Sequence, residues 1–505
     1  MPAVKTLSRL PLFLSLMGLA SLSMLLPAGF ALAIEEHHDA RTFLYGAIIG
    51  SVLTVLVGIA LSNRSHNRSP LRQLLALAAA FVFLPLFMAI PFQEAVRTTT
   101  FASAYFEMVS AFTTTGASLF DPVRLSGPEH LWRAQVGWMG GLLMWVAASA
   151  IMAPLALGGF EVTARGEPGQ SILTGVVRSG VSDPQFRLWR SVEALVPLYF
   201  GLTLALSVML LVAGDPPLIA LTHAMAVLST SGISPLGGVE TAPSGIWGEV
   251  ILFLFLGFAL SRQTFSNDTR QERGLWYDPE FRLGLIIVVV VPIALFLRHW
   301  AAAFDVGDEQ NWLAGLRALW GGLFTAASFL TTNGFVSADW DTAQDWSGLP
   351  TPGIILMGLA LVGGGVATTA GGVKLLRVYA LYLNGKREIE RLVHPSSIGG
   401  AGLLGRRLRR EGAFIAWVFF MLFAVTLAIM TMILGIYGFS FEHAIVVTIA
   451  TLANTGPLID VAPQIALDIS AHAWHAKVLL CGAMVLGRLE LLAVIVMLSP
   501  DSWRS

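Results

Sequence analysis

Apolar positions in this chain gather into long runs with few polar interruptions, at residues 10–34, 42–61, 74–90, 135–157, 194–212, 247–263, 283–297, 352–378, 414–436 and 476–498. The runs at 251–260, 283–297 and 414–436 lack the polar stripe of an amphipathic helix, so they predict membrane spans rather than surface helices. Ten spans leave both chain ends on one side. Between pairs of spans lie apolar runs of only about a dozen residues, too short to cross a hydrocarbon core of about 30 Å as helices. They are expected to enter and turn back.

Each short run ends in a small polar cluster: "SAFTTTGAS" (110–118), "AVLSTSGIS" (226–234), "SFLTTNGFV" (328–336) and "ATLANTGPL" (450–458). The glycines Gly116, Gly232, Gly334 and Gly456 stand 116, 102 and 122 residues apart, which marks one unit repeated four times. Any single copy reads as a helix cap, since glycine closes helices and Thr or Ser caps the next one. Four copies in the same place ask for more. Irregular backbone at membrane depth survives only where protein buries it or water lines it. Four such turns on one axis would supply a ring of backbone and hydroxyl oxygens, the ligands that replace the hydration shell of an alkali cation. The partially negative carboxyl end of each short helix favours a cation at the same place.

Composition supports a membrane protein: of 505 residues 55% are hydrophobic and 12% charged, with a mean hydropathy of +0.71, far from a soluble domain. A net charge of −1 gives no reason to expect a nucleic-acid partner. The lone Cys481 excludes an intrachain disulfide and a CxxC metal site. The ten histidines are scattered, and "GGGVATTAGGVK" (363–374) lacks the phosphate-loop pattern, so neither an enzyme nor a cofactor is expected. Basic residues sort by side. Lys5, Arg9, Arg64, Arg68, Arg72, Arg165, Arg178, Arg187, Arg190, Arg262, Arg270, Arg273 and the stretch 386–410 share one face, which is expected to be cytoplasmic and to hold both termini. The first apolar segment has the basic start and Ala-x-Ala-like end of a signal peptide, yet exceeds the usual core of about 7–15 residues and is followed at once by a second span, as in a retained hairpin.

Several stretches together are specific: "FTTTGAS", "STSGIS", "FLTTNGF", "ANTGP", "WRAQVGWMGG" (132–141), "GGGVATTAGGVKLLR" (363–377), "RLVHP" (391–395) and "LGRLELL" (486–492). Through them the chain resembles the TrkH-like branch of the Trk/Ktr/HKT superfamily of potassium transporters over essentially its full length. The resemblance implies an all-α integral membrane fold. Four channel-like repeats (67–165, 190–270, 280–395 and 410–505) would surround a pseudo-fourfold pore, beside an N-terminal two-helix hairpin (1–66). It implies a K⁺ filter built from Thr114, Thr115 and Gly116; Thr230, Ser231 and Gly232; Thr332, Asn333 and Gly334; and Asn454, Thr455 and Gly456. Below it, Ala367, Thr368, Thr369, Ala370, Gly371 and Gly372, with Lys374, would form an intramembrane gate loop.

The implied activity is K⁺ uptake across the inner (plasma) membrane, with a sodium-permeable or K⁺/Na⁺- or K⁺/H⁺-coupled relative as the alternative. The implied partners are a cytoplasmic nucleotide-binding ring of the TrkA type, acting on 262–273 and 386–410, and a second copy of the chain. Departures from the family pattern are "STSGIS" for STGGFS, "TTNGF" for TTTGF, "GPL" for GPG, and Ala367 for a hinge glycine. Lys374 reads as a charge near the permeation path or as one snorkelling to the membrane edge. Arg488 reads as a pore-near charge or as the partner of Glu490 or Glu107. Glu107 reads as a support behind the filter or an ordinary helix-start charge, and His223 as a satisfied polar residue rather than a metal ligand.

Overall fold

The computed structural model describes residues 11–61, 70–162, 184–261, 275–302, 311–349, 351–394, 410–465 and 467–498. Among them the secondary structure is helical, with no strand. In chain order the helices are α1 (Leu12–Ser23), α2 (Leu25–Ala33), α3 (His37–Leu61), α4 (Pro70–Val96), α5 (Phe101–Phe112), α6 (Gly127–Ala147), α7 (Pro184–Ala213), α8 (Pro217–Ser229), α9 (Gly245–Leu256), α10 (Pro279–Ala302), α11 (Asn311–Leu330), α12 (Trp340–Ser347), α13 (Gly353–Val362), α14 (Leu375–Val393), α15 (Arg410–Ile436), α16 (Phe441–Leu452), α17 (Leu458–Val461), α18 (Trp474–Leu489) and α19 (Leu491–Leu498).

Eight of these segments are long and apolar enough to cross a membrane, with α1 and α2 counted as one. The differences from ten uniform spans have local causes. The run at 352–378 stops being helical at Gly363, whose φ of 73° is left-handed, and resumes only at Leu375. The run at 476–498 breaks at Glu490, where α18 and α19 meet at 96°. The 245–260 segment is a short helix with a 3₁₀ end. The third short run is longer than the expected dozen, since α11 has 20 residues.

Hairpin and first repeat share one core. Met24 and Phe43 are fully buried with Leu77, Phe81 and Trp132, and the Phe43 and Trp132 rings lie 5.8 Å apart. Apolar side chains on the far side of α3, such as Ile49 and Ile59, are exposed, as lipid-facing positions would be. Helices in lipid gain little from burying grease against grease, so small residues that allow close approach matter. On α6 a Cβ at Gly140 would sit 1.9 Å from the carbonyl oxygen of Phe112, so only glycine lets α6 lie against the end of α5. Of the expected cytoplasmic positions, Lys5, Arg9, Arg64, Arg68, Arg165, Arg178, Arg262, Arg270, Arg273 and residues 395–409 lie outside the described residues.

Candidate functional site: a ring of four turns and the loop beneath it

The four short helices α5, α8, α11 and α16 all end in the same way. The N–H of Thr115, Ser231, Asn333 and Thr455 donates to the carbonyl five residues back (Ser110, Ala226, Ser328 and Ala450) at 2.8, 2.9, 2.9 and 2.8 Å. The residue before each donates three back: Thr114 to Ala111, Thr230 to Val227, Thr332 to Phe329 and Asn454 to Thr451. This is the Schellman cap, so the cap reading of the sequence holds locally. What differs is its occupant. The left-handed position, normally glycine, is held by Thr114, Thr230, Thr332 and Asn454 at φ of 55°, 52°, 58° and 53°. Each non-glycine there costs about 1–3 kcal/mol, and strain of that kind persists where the surrounding structure over-determines it.

Beyond the caps the four segments close on one another in sequence order. A Cβ on Gly116 would lie 1.8 Å from the carbonyl oxygen of Ser231, and one on Gly232 would lie 2.1 Å from that of Asn333. On Gly334 it would meet Pro457 at 2.9 Å, and on Gly456 the backbone N of Ala117 at 2.0 Å. Gly456 N–H donates to the carbonyl of Thr115 at 2.6 Å, closing the fourth segment onto the first. Gly116, Gly232 and Gly334 are left-handed at 76°, 63° and 85°, whereas at Gly456 the demand is close approach alone. All of the non-glycine members (Thr114, Thr115, Thr230, Ser231, Thr332, Asn333, Asn454 and Thr455) are buried.

In three of its four segments the ring is held by the residue nine positions before the glycine. In the first segment Glu107 accepts from Leu119 N–H at 3.1 Å and pairs with Arg133 at 2.5 Å, so it is a support behind the turn. In the second, His223 Nε2 lies 2.8 Å from Ser234 Oγ, while its buried Nδ1 has no hydrogen-bond partner, so the expected polar residue is satisfied at one ring nitrogen only. In the third, Thr325 Oγ1 accepts from Ser337 N–H at 3.3 Å. The fourth has Val447 there. Glu249 adds a second support to the third segment, accepting from Ser337 Oγ, Ala338 N–H and Trp320 Nε1 at 2.7, 2.7 and 2.8 Å.

At the end of the ring where the short helices terminate lies the non-helical stretch from Gly363 to Lys374. Thr369 Oγ1 donates to the carbonyl of Leu228 at 3.0 Å, and Gly371 N–H donates to Thr332 Oγ1 at 2.7 Å. A Cβ on Gly371 would stand 2.0 Å from the carbonyl oxygen of Ala453. The loop thus touches the second, third and fourth segments. Thr368 closes a local turn by donating to Gly365, Ala367 is left-handed at 57°, and Gly372 is left-handed at 76°.

The charges here sort differently from the sequence alternatives. Lys374 does not extend to the surface as a snorkelling lysine would: it is buried and its Nζ donates to the carbonyl of Ala370 within the loop. Arg488 pairs with neither Glu490 nor Glu107, because both are taken. Glu107 holds Arg133, and Glu490 holds Arg377 at 2.6 Å. Arg488 Nη1 instead donates to the carbonyl of Thr369 at 2.6 Å, and its Nε and Nη2 have no hydrogen-bond partner. Sequence reasoning missed Arg377, which is fully buried, pairs also with Glu161 at 2.6 Å, and lies 3.8 Å over the Phe419 ring. A charge three residues beyond Lys374 was its only signal, and Glu161 had none.

Comparison with known proteins places the chain among transporters. A family model described as TrkH, a cation transport protein, matches residues 87–505. The Trk system potassium uptake protein TrkH of Vibrio parahaemolyticus is 28% identical over 417 residues, 80% of this chain and 79% of that protein. The Trk system potassium uptake protein TrkI of Halomonas elongata is 26% identical over 481 residues, 94% of this chain and 92% of its own. The crystal structure of the potassium transporter TrkH from Vibrio parahaemolyticus matches with a TM-score of 0.79 and 25% identity, covering 99% of this chain and 100% of that one.

Proposed function

Given that this chain belongs to the TrkH family of cation transport proteins, we propose that it is the pore-forming subunit of a potassium uptake system of the inner membrane. K⁺ passes through the ring formed by Thr114–Gly116, Thr230–Gly232, Thr332–Gly334 and Asn454–Gly456, whose oxygens stand in for its water shell. The observation that carries the reading is the fourfold recurrence of one strained turn, closed into a ring of buried backbone. An inside-negative potential contributes about 2.3 kcal/mol per ion for each 100 mV, so accumulation needs no chemistry in this chain.

The loop 367–372 serves as the gate. Its hydrogen bonds to Leu228 and Thr332 support this, with Arg488 holding it from the kinked last span. Control comes from a cytoplasmic nucleotide-binding ring that engages 262–273 and 386–410; within the latter, the described end of α14 is exposed. The chain works as a homodimer with both termini cytoplasmic. Expression in cells lacking their own potassium importers tests the proposal. Growth at low potassium and rubidium uptake are expected when the regulatory partner is supplied; their absence, with the protein in the membrane, overturns it. Sodium permeation is the second reading, favoured by the unequal side chains Thr115, Ser231, Asn333 and Thr455 around the ring.

A further inference from the structure

The residue just before each ring glycine carries a buried polar side chain, and in three segments that side chain is anchored. Thr115 Oγ1 lies 2.8 Å from Thr113 Oγ1 and accepts from Asn454 Nδ2 at 2.9 Å. Ser229 Oγ and Ser231 Oγ lie 3.0 Å apart, and Thr455 Oγ1 lies 3.4 Å from the carbonyl of Ala453. In the third segment the residue is Asn333, with no exposure to solvent, and neither its Oδ1 nor its Nδ2 has a hydrogen-bond partner.

The missing anchor is not for want of a neighbour. Thr331 Oγ1 donates to the carbonyl of Ala327 at 2.8 Å, as Thr113 Oγ1 does to Val109 and Ser229 Oγ to Met225, both at 2.7 Å. The same hydroxyl therefore stands two residues before Asn333 that anchors Thr115 and Ser231 in their segments. An asparagine carries its polar atoms one bond further from the backbone than a serine or threonine hydroxyl, and here it makes no bond to it. A buried unpaired carboxamide is costly, and any shift that lets it find a partner is favoured.

We propose that Asn333 is a specificity-determining residue: the third quarter of the ring, held from behind through Thr325 and Glu249, lacks a side-chain anchor beside its glycine, so that this quarter yields more than the others around an ion of the wrong size. Discrimination between alkali cations depends on how many oxygens meet the ion and how firmly they are held, so one yielding quarter lowers it. The inference rests on the cation-filter reading. It predicts that a hydroxyl at 333 improves the pore, a gain that a merely structural residue would not give.

The test measures reversal potentials of the full-length protein in lipid bilayers under opposed K⁺ and Na⁺ gradients. Asn333→Thr, which copies the Thr113–Thr115 pair, is expected to raise the K⁺ over Na⁺ permeability ratio about fivefold, the order of one buried hydrogen bond. Ser231→Ala, which removes an existing anchor, is expected to lower it by a similar factor. Asn333→Ser, which copies Ser229–Ser231, is the second variant should the first not reach the membrane. An unchanged or lowered ratio in the position-333 variants that reach the membrane overturns the inference while leaving the filter reading intact. No K⁺ conductance in the parent protein, with its partner present, overturns the filter reading itself.

Discussion

Substituting Gly116 by serine perturbs the ring at its tightest point. Two effects add. The residue sits at φ 76°, where a side chain costs about 1–2 kcal/mol. Its new Cβ would also lie 1.8 Å from the carbonyl oxygen of Ser231, whereas real Cβ contacts essentially never fall below 3.0 Å. The carbonyl must retreat by more than about 1 Å, and forced displacement in a packed interior costs about 1–3 kcal/mol. The least costly relief is for the Ser231 carbonyl to swing away from the ring, which in the proposed filter removes an oxygen from the ion's shell. At 1.4 kcal/mol per factor of ten, a loss of about 2 kcal/mol in K⁺ binding lowers K⁺ flux roughly 30-fold, with discrimination against Na⁺ eroded. Rubidium uptake and reversal potentials in K⁺ and Na⁺ gradients measure both, with the amount of folded protein in the membrane as control. Parent-like flux and selectivity in Gly116→Ser would refute the assignment of Gly116 to the ion path.

Other perturbations separate gate, anchor and support. Deleting 367–372 removes the loop's bonds to Leu228, Thr332 and Arg488, and is expected to raise basal flux; flux at the parent level argues against a gate. Arg488→Gln removes a buried, partly unpaired positive charge beside the loop and should raise flux about tenfold, read as initial rubidium uptake. Arg377→Met leaves Glu161 and Glu490 as buried carboxylates without their cation, a loss of about 3–5 kcal/mol in stability, read from thermal unfolding in detergent. Glu107→Gln breaks the 2.5 Å pair with Arg133 and weakens the hold on Leu119, so selectivity should fall more than abundance, by the same electrical assay.

How much of this is legible in the sequence depends on the range of the interaction concerned. The apolar runs, the four glycine turns and the break at Gly363 are written in local composition, because lipid excludes unpaired backbone and only certain residues turn a chain at depth. Gly116, Gly232, Gly334 and Gly456 could be named as one set because the repeat aligns them. The cap reading and the ring reading, which compete in sequence, coexist in the fold: the cap is the start of the ring, with threonine or asparagine where glycine is usual.

Charge pairing was settled only in three dimensions. Arg488 and Glu490 are neighbours in sequence, yet the 96° bend at Glu490 turns them to different partners: Thr369 for one and Arg377 for the other. Arg377 and Glu161 are joined across 216 residues, a contact no local pattern encodes. The same holds for Asn333. In sequence it is one substitution in a repeat, but only the packed ring reveals that its carboxamide goes unpartnered where the equivalent side chains are tied. Composition and periodicity determine which segments enter the membrane and where they turn; which buried polar groups meet depends on side-chain reach across the assembled repeats, and that exists only once the chain is folded.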